Sequence, residues 1–290
     1  MSLIQKIKKK VRDRQYYRFL PSNHFNEDVF LVSFPKSGNT WFRFLIANTL
    51  KFHYQVDRKV NFFSIHDIIP DICISKDVSP SGPFGIQALP RLIKSHDSYN
   101  PYYYRAVLLV RDPEKVMVSY YAHLRNYNRI PENMTISDML AHKKYGIDAW
   151  NTHTRSWIEK VHDGHIVQIF QYERLLEDTV GQLDRFFDLL GLEISSSTIQ
   201  KAVQASSKRS MQTSDAKHFS TQLLKRRTSA FVRGDKRATL SQEDIQYIRN
   251  VTRAVCKELN LDSYSYSTPG SETKGKIADS ERLVAKSSGK

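Results

Sequence analysis

Apolar and polar positions divide the chain into short strands alternating with longer helices. Residues 29–34 (VFLVSF) form a β-branched apolar run that stops at Pro35, the mark of a buried strand. A helix is predicted over 40–54, and further strands at 91–95 (RLIKS), 105–110 (RAVLLV) and 165–170 (HIVQIF). The last two strands each lead into a helical pattern. Leu176, Val180, Leu183, Phe187 and Leu190 step by four and three, one face of a helix ending near Gly191. Ser-Gln-Glu-Asp from Ser241 reads as a capping box that opens a helix running to about Leu259. Segment 75–90, with three prolines and two glycines, reads as a loop. The alternation predicts an α/β fold, a central parallel sheet with helices on both faces. Ligands then gather beyond the carboxyl ends of the strands.

The 290 residues, 40% hydrophobic and 26% charged, are enough for one substantial core. The predicted organisation is a basic N-terminal segment over 1–27, a folded domain over 28–261 and a Ser-, Thr- and Gly-rich tail over 262–290, expected to be disordered. The formal charge of +14 is concentrated. Residues 1–20 carry seven basic side chains against Asp13, and residues 201–237 carry ten against Asp215 and Asp235. Such patches suit a polyanion, an anionic surface or an anionic small molecule. Leu3, Ile4, Ile7 and Val11 fall on one helical face among lysines. That face could make weak contact with an anionic membrane surface; a solvated basic helix is the alternative. No apolar run reaches the roughly 18 residues of a membrane span, and the N-terminus lacks the pattern of a secretory signal. Cys73 and Cys256 form no metal or redox spacing, which fits a reducing, cytoplasmic setting.

Candidate chemistry begins at Phe34-Pro35-Lys36-Ser37-Gly38-Asn39-Thr40-Trp41, between a strand and a helix. Free backbone N–H groups and the helix dipole converge on an anion at such a joint. Gly38 permits a tight turn and close backbone approach. Ser37, Asn39 and Thr40 add donors, and Lys36 adds charge. The spacing is not the G-x-x-x-x-G-K-[ST] of a triphosphatase loop, which disfavours a P-loop kinase. A nucleic-acid-binding protein is the other alternative, motivated by the net charge. A second anion site is predicted at Arg111, which follows a strand and could clamp phosphate with two hydrogen bonds. Ser119 lies one or two turns into the next helix, and Pro113 suits that helix's first turn. Asp112 or Glu114 could instead pair with Arg111. Between the two sites, Lys94 and His96 are two apart on a strand and face one side. An imidazole can take a proton near neutral pH, and an ammonium can stabilise growing negative charge.

These strings resemble the soluble, cytosolic-type sulfotransferases that use 3'-phosphoadenosine 5'-phosphosulfate (PAPS). Pro-Lys-Ser-Gly-Asn-Thr-Trp is similar to that family's P-loop-like phosphosulfate-binding loop, with only Asn39 departing from the usual Thr. The resemblance implies that Ser37, Gly38, Asn39 and Thr40 hold the 5'-phosphosulfate, that Lys36 meets the leaving oxygen and that Trp41 stacks on adenine. Arg111-Asp112 through Ser119-Tyr120-Tyr121 resembles the 3'-phosphate motif, which implies Arg111 and Ser119 as ligands; Asp112 and Lys115 depart from the usual Asn and Asp. Arg-Leu-Ile-Lys-Ser-His matches the Lys-Thr-His element, which implies His96 as general base and Lys94 as support for the transferring group. Weaker matches add Tyr172 (with Arg174 in place of an acid), Ser207 and Met211 beside adenine (Lys208 replacing a phenylalanine), and Arg233 and Gly234 from a shortened C-terminal signature. Arg226, Arg227, Lys236 and Arg237 are further candidates to cap the 3'-phosphate. The implied reaction is in-line sulfuryl transfer from PAPS, releasing adenosine 3',5'-bisphosphate (PAP), to a hydroxyl or amine of a small molecule or glycan. No metal and no nucleic acid is expected. The acceptor pocket is expected within 60–90 and 125–150, and Tyr99, Tyr102, Tyr103 and Tyr104, which follow His96 closely, either line it or pack.

Overall fold

The computed structural model describes residues 16–160, 166–213 and 238–261. Four parallel strands form the sheet: β1 (Val29–Val32), β2 (Leu92–Ser95), β3 (Arg105–Val110) and β4 (Ile166–Gln171), in the order β2-β1-β3-β4. β1 is flanked by β2 on one side and β3 on the other, with Val32 opposite both Ser95 and Leu108. The chain therefore reverses direction across the sheet at β1. In parallel sheets a crevice opens at such a reversal, beyond the carboxyl ends of the strands.

Strand side chains alternate between two cores. Phe30, Val32, Ile93, Ala106, Leu108 and Val110 join one cluster. It is completed by α3 (Pro113–Asn126), α4 (Ile136–Leu140), α5 (Ile147–Ile158) and, late in the chain, α9 (Gln242–Glu258). Val29, Leu31, Leu92, Val107 and Leu109 join the other. Its helices are α1 (Asn39–His53), α2 (Ile65–Ile68), α6 (Tyr172–Glu177), α7 (Thr179–Asp188) and α8 (Ser196–Ala205). Both faces of the sheet are thus covered, as the continuous apolar strands require. Among the described residues no helix is long and apolar enough to cross a membrane.

Local chemistry sets the element ends. The Asp112 side chain accepts from Glu114 N at 2.9 Å and Pro113 occupies the first turn of α3. Ser241 and Asp244 form the predicted reciprocal cap of α9. Segment 75–90 is a loop apart from a 3-10 turn at Pro83–Gly85. One expectation is corrected. The helix predicted through Leu176 and Leu190 is two helices, broken at Asp178, whose carboxylate accepts from Gly181 N at 2.9 Å to start α7. Leu176 belongs to the first of them and is exposed. The apolar spacing continues across the break, so periodicity alone conceals it.

Candidate active site

Each strand delivers one part of the site from its carboxyl end. β1 runs into the loop before α1, β2 into His96, β3 into Arg111 and β4 into Tyr172. In the first loop Lys36 has φ 72° and Gly38 φ 97°, so the backbone turns sharply and Gly38 caps α1 with no side-chain contribution. No acidic residue occupies the first turn of this 15-residue helix. Its N–H groups and dipole therefore face the loop without a competing carboxylate. Ser37 is buried and its Oγ has no hydrogen-bond partner among the described residues.

The loop and the β3 terminus meet directly. Arg111 Nη1 donates to Lys36 O at 3.2 Å, and the guanidinium lies 4.5 Å over the Tyr172 ring. Arg111 Nε is buried and lacks a partner among the described residues. Neither acid suggested as its partner is available: Asp112 caps α3 and contacts Lys115 at 3.4 Å, while Glu114 accepts from Arg249 Nε at 2.8 Å. Ser119 sits half-buried on α3. Tyr172 also packs on the loop. A methyl added at Gly38 would lie 2.2 Å from Tyr172 Cδ2, so only glycine admits this approach. Trp41 meets Tyr172 edge to face at 5.7 Å.

Trp41 Nε1 donates to Ser206 O at 3.1 Å, and Asn48 Nδ2 donates to Ser206 Oγ at 3.0 Å. Ser206, missed by sequence reasoning, thus ties α8 to α1. Its neighbour Ser207 bonds Ser210, and Met211 is buried in the α1-side core. Arg233, Gly234, Arg226, Arg227, Lys236 and Arg237 lie outside the described residues. Glu173, also unassigned from sequence, is buried beside Arg111, accepts from Asp112 N at 3.4 Å, and has its pKa raised by burial.

His96 adjoins the same loop. Its Nδ1 donates to Ser33 O at 2.6 Å, which leaves Nε2 as the basic nitrogen. Asn39 Nδ2 donates to Leu31 O at 3.0 Å and to Ser33 Oγ at 3.1 Å, wiring the start of α1 to the backbone that holds His96. Burial, then the Lys94 charge, holds the imidazole pKa well below its ordinary value. His96 is therefore neutral near pH 7, the state a general base requires. Lys94 is buried in an ion pair with Asp71. Tyr103 is a packing residue, fully buried and stacked on Phe30, while Tyr104 is exposed.

Fold and site together define an α/β protein that gathers its candidate anion-binding and proton-transfer groups at the carboxyl ends of a parallel sheet. The chain belongs to the sulfotransferase domain family, whose sequence model matches residues 26–260. It is 24% identical to Sulfotransferase 1E1 of Bos taurus over 71% of this chain and 74% of that protein. It is 25% identical to Sulfotransferase 2A1 of Mus musculus over 67% and 70%. Among solved structures, retinol dehydratase in complex with androsterone and inactive cofactor PAP shares the fold, with TM-score 0.61, 18% identity and 87% and 86% of the two chains covered. A mouse sulfotransferase complexed with PAP has TM-score 0.56 at 18% identity, covering 87% and 92%. Family membership sets aside the kinase alternative.

Proposed function

We propose that this protein transfers a sulfuryl group from PAPS to a hydroxyl or amine of a small molecule or glycan by in-line displacement, with His96 as general base. The observation that carries this reading is the 3.2 Å contact between Arg111 Nη1 and Lys36 O, which brings the end of β3 against the loop before α1, while His96 bonds Ser33 O at the start of that loop. The residues fit such a nucleotide. Among the described residues Ser37 Oγ and Arg111 Nε are buried donors without a hydrogen-bond partner, and leaving a buried donor unmet costs about 1–3 kcal/mol.

In this reading the loop from Ser37 to Thr40 and the α1 dipole hold the 5'-phosphosulfate, and Arg111 and Ser119 hold the 3'-phosphate. Trp41 and Tyr172 flank adenine, with Ser207 and Met211 nearby and Arg233 and Gly234 as further contacts. When bound, PAPS supplies an activated sulfuryl group. The acceptor oxygen or nitrogen forms a bond to sulfur as the sulfur–oxygen bond to the phosphate breaks. His96 Nε2 takes the acceptor's proton, and PAP leaves with the electron pair, its new charge met by Lys36. Lys94 supports the transferring group. The transfer relies on positioning and electrostatics. A cytoplasmic setting belongs to the same reading, supported by the cysteine spacing.

Two measurements test it. PAP at 100 times its Kd should raise stability by about 2.7 kcal/mol, read as a higher Tm, and labelled sulfate should pass from PAPS to acceptors in a screen. No stabilisation together with no transfer overturns the reading. His96→Ala should lower kcat by roughly 10²–10⁴ while the PAP-induced Tm shift persists. Unchanged turnover would remove His96 from the chemistry.

A further inference from the structure

The outer edge of the sheet, next to His96, carries a charged pair in an otherwise apolar position. Lys94 lies in a cross-strand row with Leu31 and Val107, both buried. Its Nζ donates to Asp71 Oδ2. The segment bearing Asp71 is fastened along β2 by Lys94 N to Pro70 O at 2.8 Å and Ile72 N to Lys94 O at 3.1 Å. Asp71 Oδ1 accepts from Cys73 N at 3.0 Å, so the carboxylate is oriented by its own turn before it meets the lysine. Asp71 is 6% exposed and Lys94 8%.

Such a pair does little for stability. Desolvating two charges cancels most of their attraction, and apolar residues of similar size serve a buried position as well or better. The neighbours in this row are apolar, so the packing of the sheet does not itself call for a charge at position 94. A charge retained here points to chemistry. The other charged and titratable groups around Lys94 are Arg43 from α1, Cys73, and His96 at the end of β2. Arg43 is committed to the carbonyls of Ile65, at 3.1 Å, and Ile69, next to His66 Nδ1 at 3.5 Å. Asp97 lies beyond His96, where its carboxylate accepts from Ser95 Oγ at 2.8 Å. Asp71 is thus the acid that contacts Lys94.

We propose that Asp71 is a positioning residue of the reaction: it holds the Lys94 ammonium charged and directed beside His96, ready for the group in transit. The proposal rests on the sulfuryl-transfer reading above. The electrostatics agree with the geometry. Burial lowers the Lys94 pKa and the Asp71 charge opposes it, while Lys94 in turn lowers the pKa of His96. Without the Asp71 charge, Lys94 loses its proton at lower pH and the field on His96 changes with it.

The test compares wild type with Asp71→Asn and Asp71→Glu, each carrying lysine labelled with ¹³C at Cε, with Lys94→Met to assign the resonance. Titrated without nucleotide, Lys94 should ionise at lower pH in the Asn variant and near its wild-type position in the Glu variant. With PAPS and 4-nitrophenol as probe acceptor, Asp71→Asn should lose about tenfold or more in kcat/KM. The alkaline limb of its pH profile should move down, and the PAP-induced Tm shift should remain. In a Lys94→Met background, which leaves no unpaired ammonium, Asp71→Asn should cost less than about twofold further. An unchanged Lys94 titration, or an equal loss in the Lys94→Met background, overturns the proposal. If wild type transfers no sulfate, the sulfotransfer reading fails, and the Lys94 titration alone still decides whether Asp71 holds that charge.

Discussion

At the scale of single residues, the site depends on positions where one atom more or less decides the outcome. Gly38 is the sharpest case. Its φ of 97° is costly for any residue with a Cβ, about 1–3 kcal/mol, and the added methyl would also displace Tyr172. Gly38→Ala should therefore weaken PAP binding by at least about tenfold, measured by calorimetry, because the aromatic wall and the loop move together. Glycine in a strand–turn–helix string was legible from the sequence. The Tyr172 ring above it was not, since that contact joins residues separated by most of the sheet. Ser33, Ser206 and Asp71 were hidden for the same reason. Each is an ordinary polar residue whose partner, His96, Trp41 or Lys94, lies on another segment. Lys94 itself carried the one available signal, a charge inside an apolar strand, and that charge implied a buried counterion without saying where it would be found.

At the scale of elements, hydrophobic patterning sufficed where a strand buries a continuous apolar run, as in β1 and β3. It failed where a polar side chain interrupts the helix without disturbing the spacing, as Asp178 does between α6 and α7. The α9 cap was readable because both of its members lie within four residues. Ser241 Oγ accepts from Asp244 N at 3.1 Å and Asp244 Oδ2 accepts from Ser241 N at 3.0 Å. Ser241→Ala should destabilise the protein by about 1 kcal/mol in urea unfolding. PAP affinity should not change, because α9 packs on the face of the sheet away from α1.

For the whole molecule, pH acts through groups that folding removes from water. Burial pushes the His153 imidazole down to about 4, whereas an unfolded chain holds it near 6.5. As pH falls from 6.5 towards 4 the unfolded state takes up a proton that the folded state refuses. Stability then declines by about 1.4 kcal/mol per pH unit for this group and levels off below the folded value. His96, also lowered, acts in the same direction. Asp97 and Glu173, raised by burial, act in the opposite one. The diagnostic is therefore a difference. His153→Leu should lose less stability than wild type between pH 7 and pH 5, measured by urea unfolding at both. An identical decline in the two proteins would mean that His153 takes up its proton as readily folded as unfolded.

His96 rides on the outermost strand, four residues long, held by β1 on one flank and by a single bridge at Asp71 on the other. Short elements held by few buried contacts open locally at a lower free energy than the whole fold. The proposed base would thus leave its post while the α1 loop and Arg111, anchored on interior strands, still hold their shape. Gentle heating should then yield a form that retains nucleotide yet turns nothing over, a reversible loss of catalysis well short of melting.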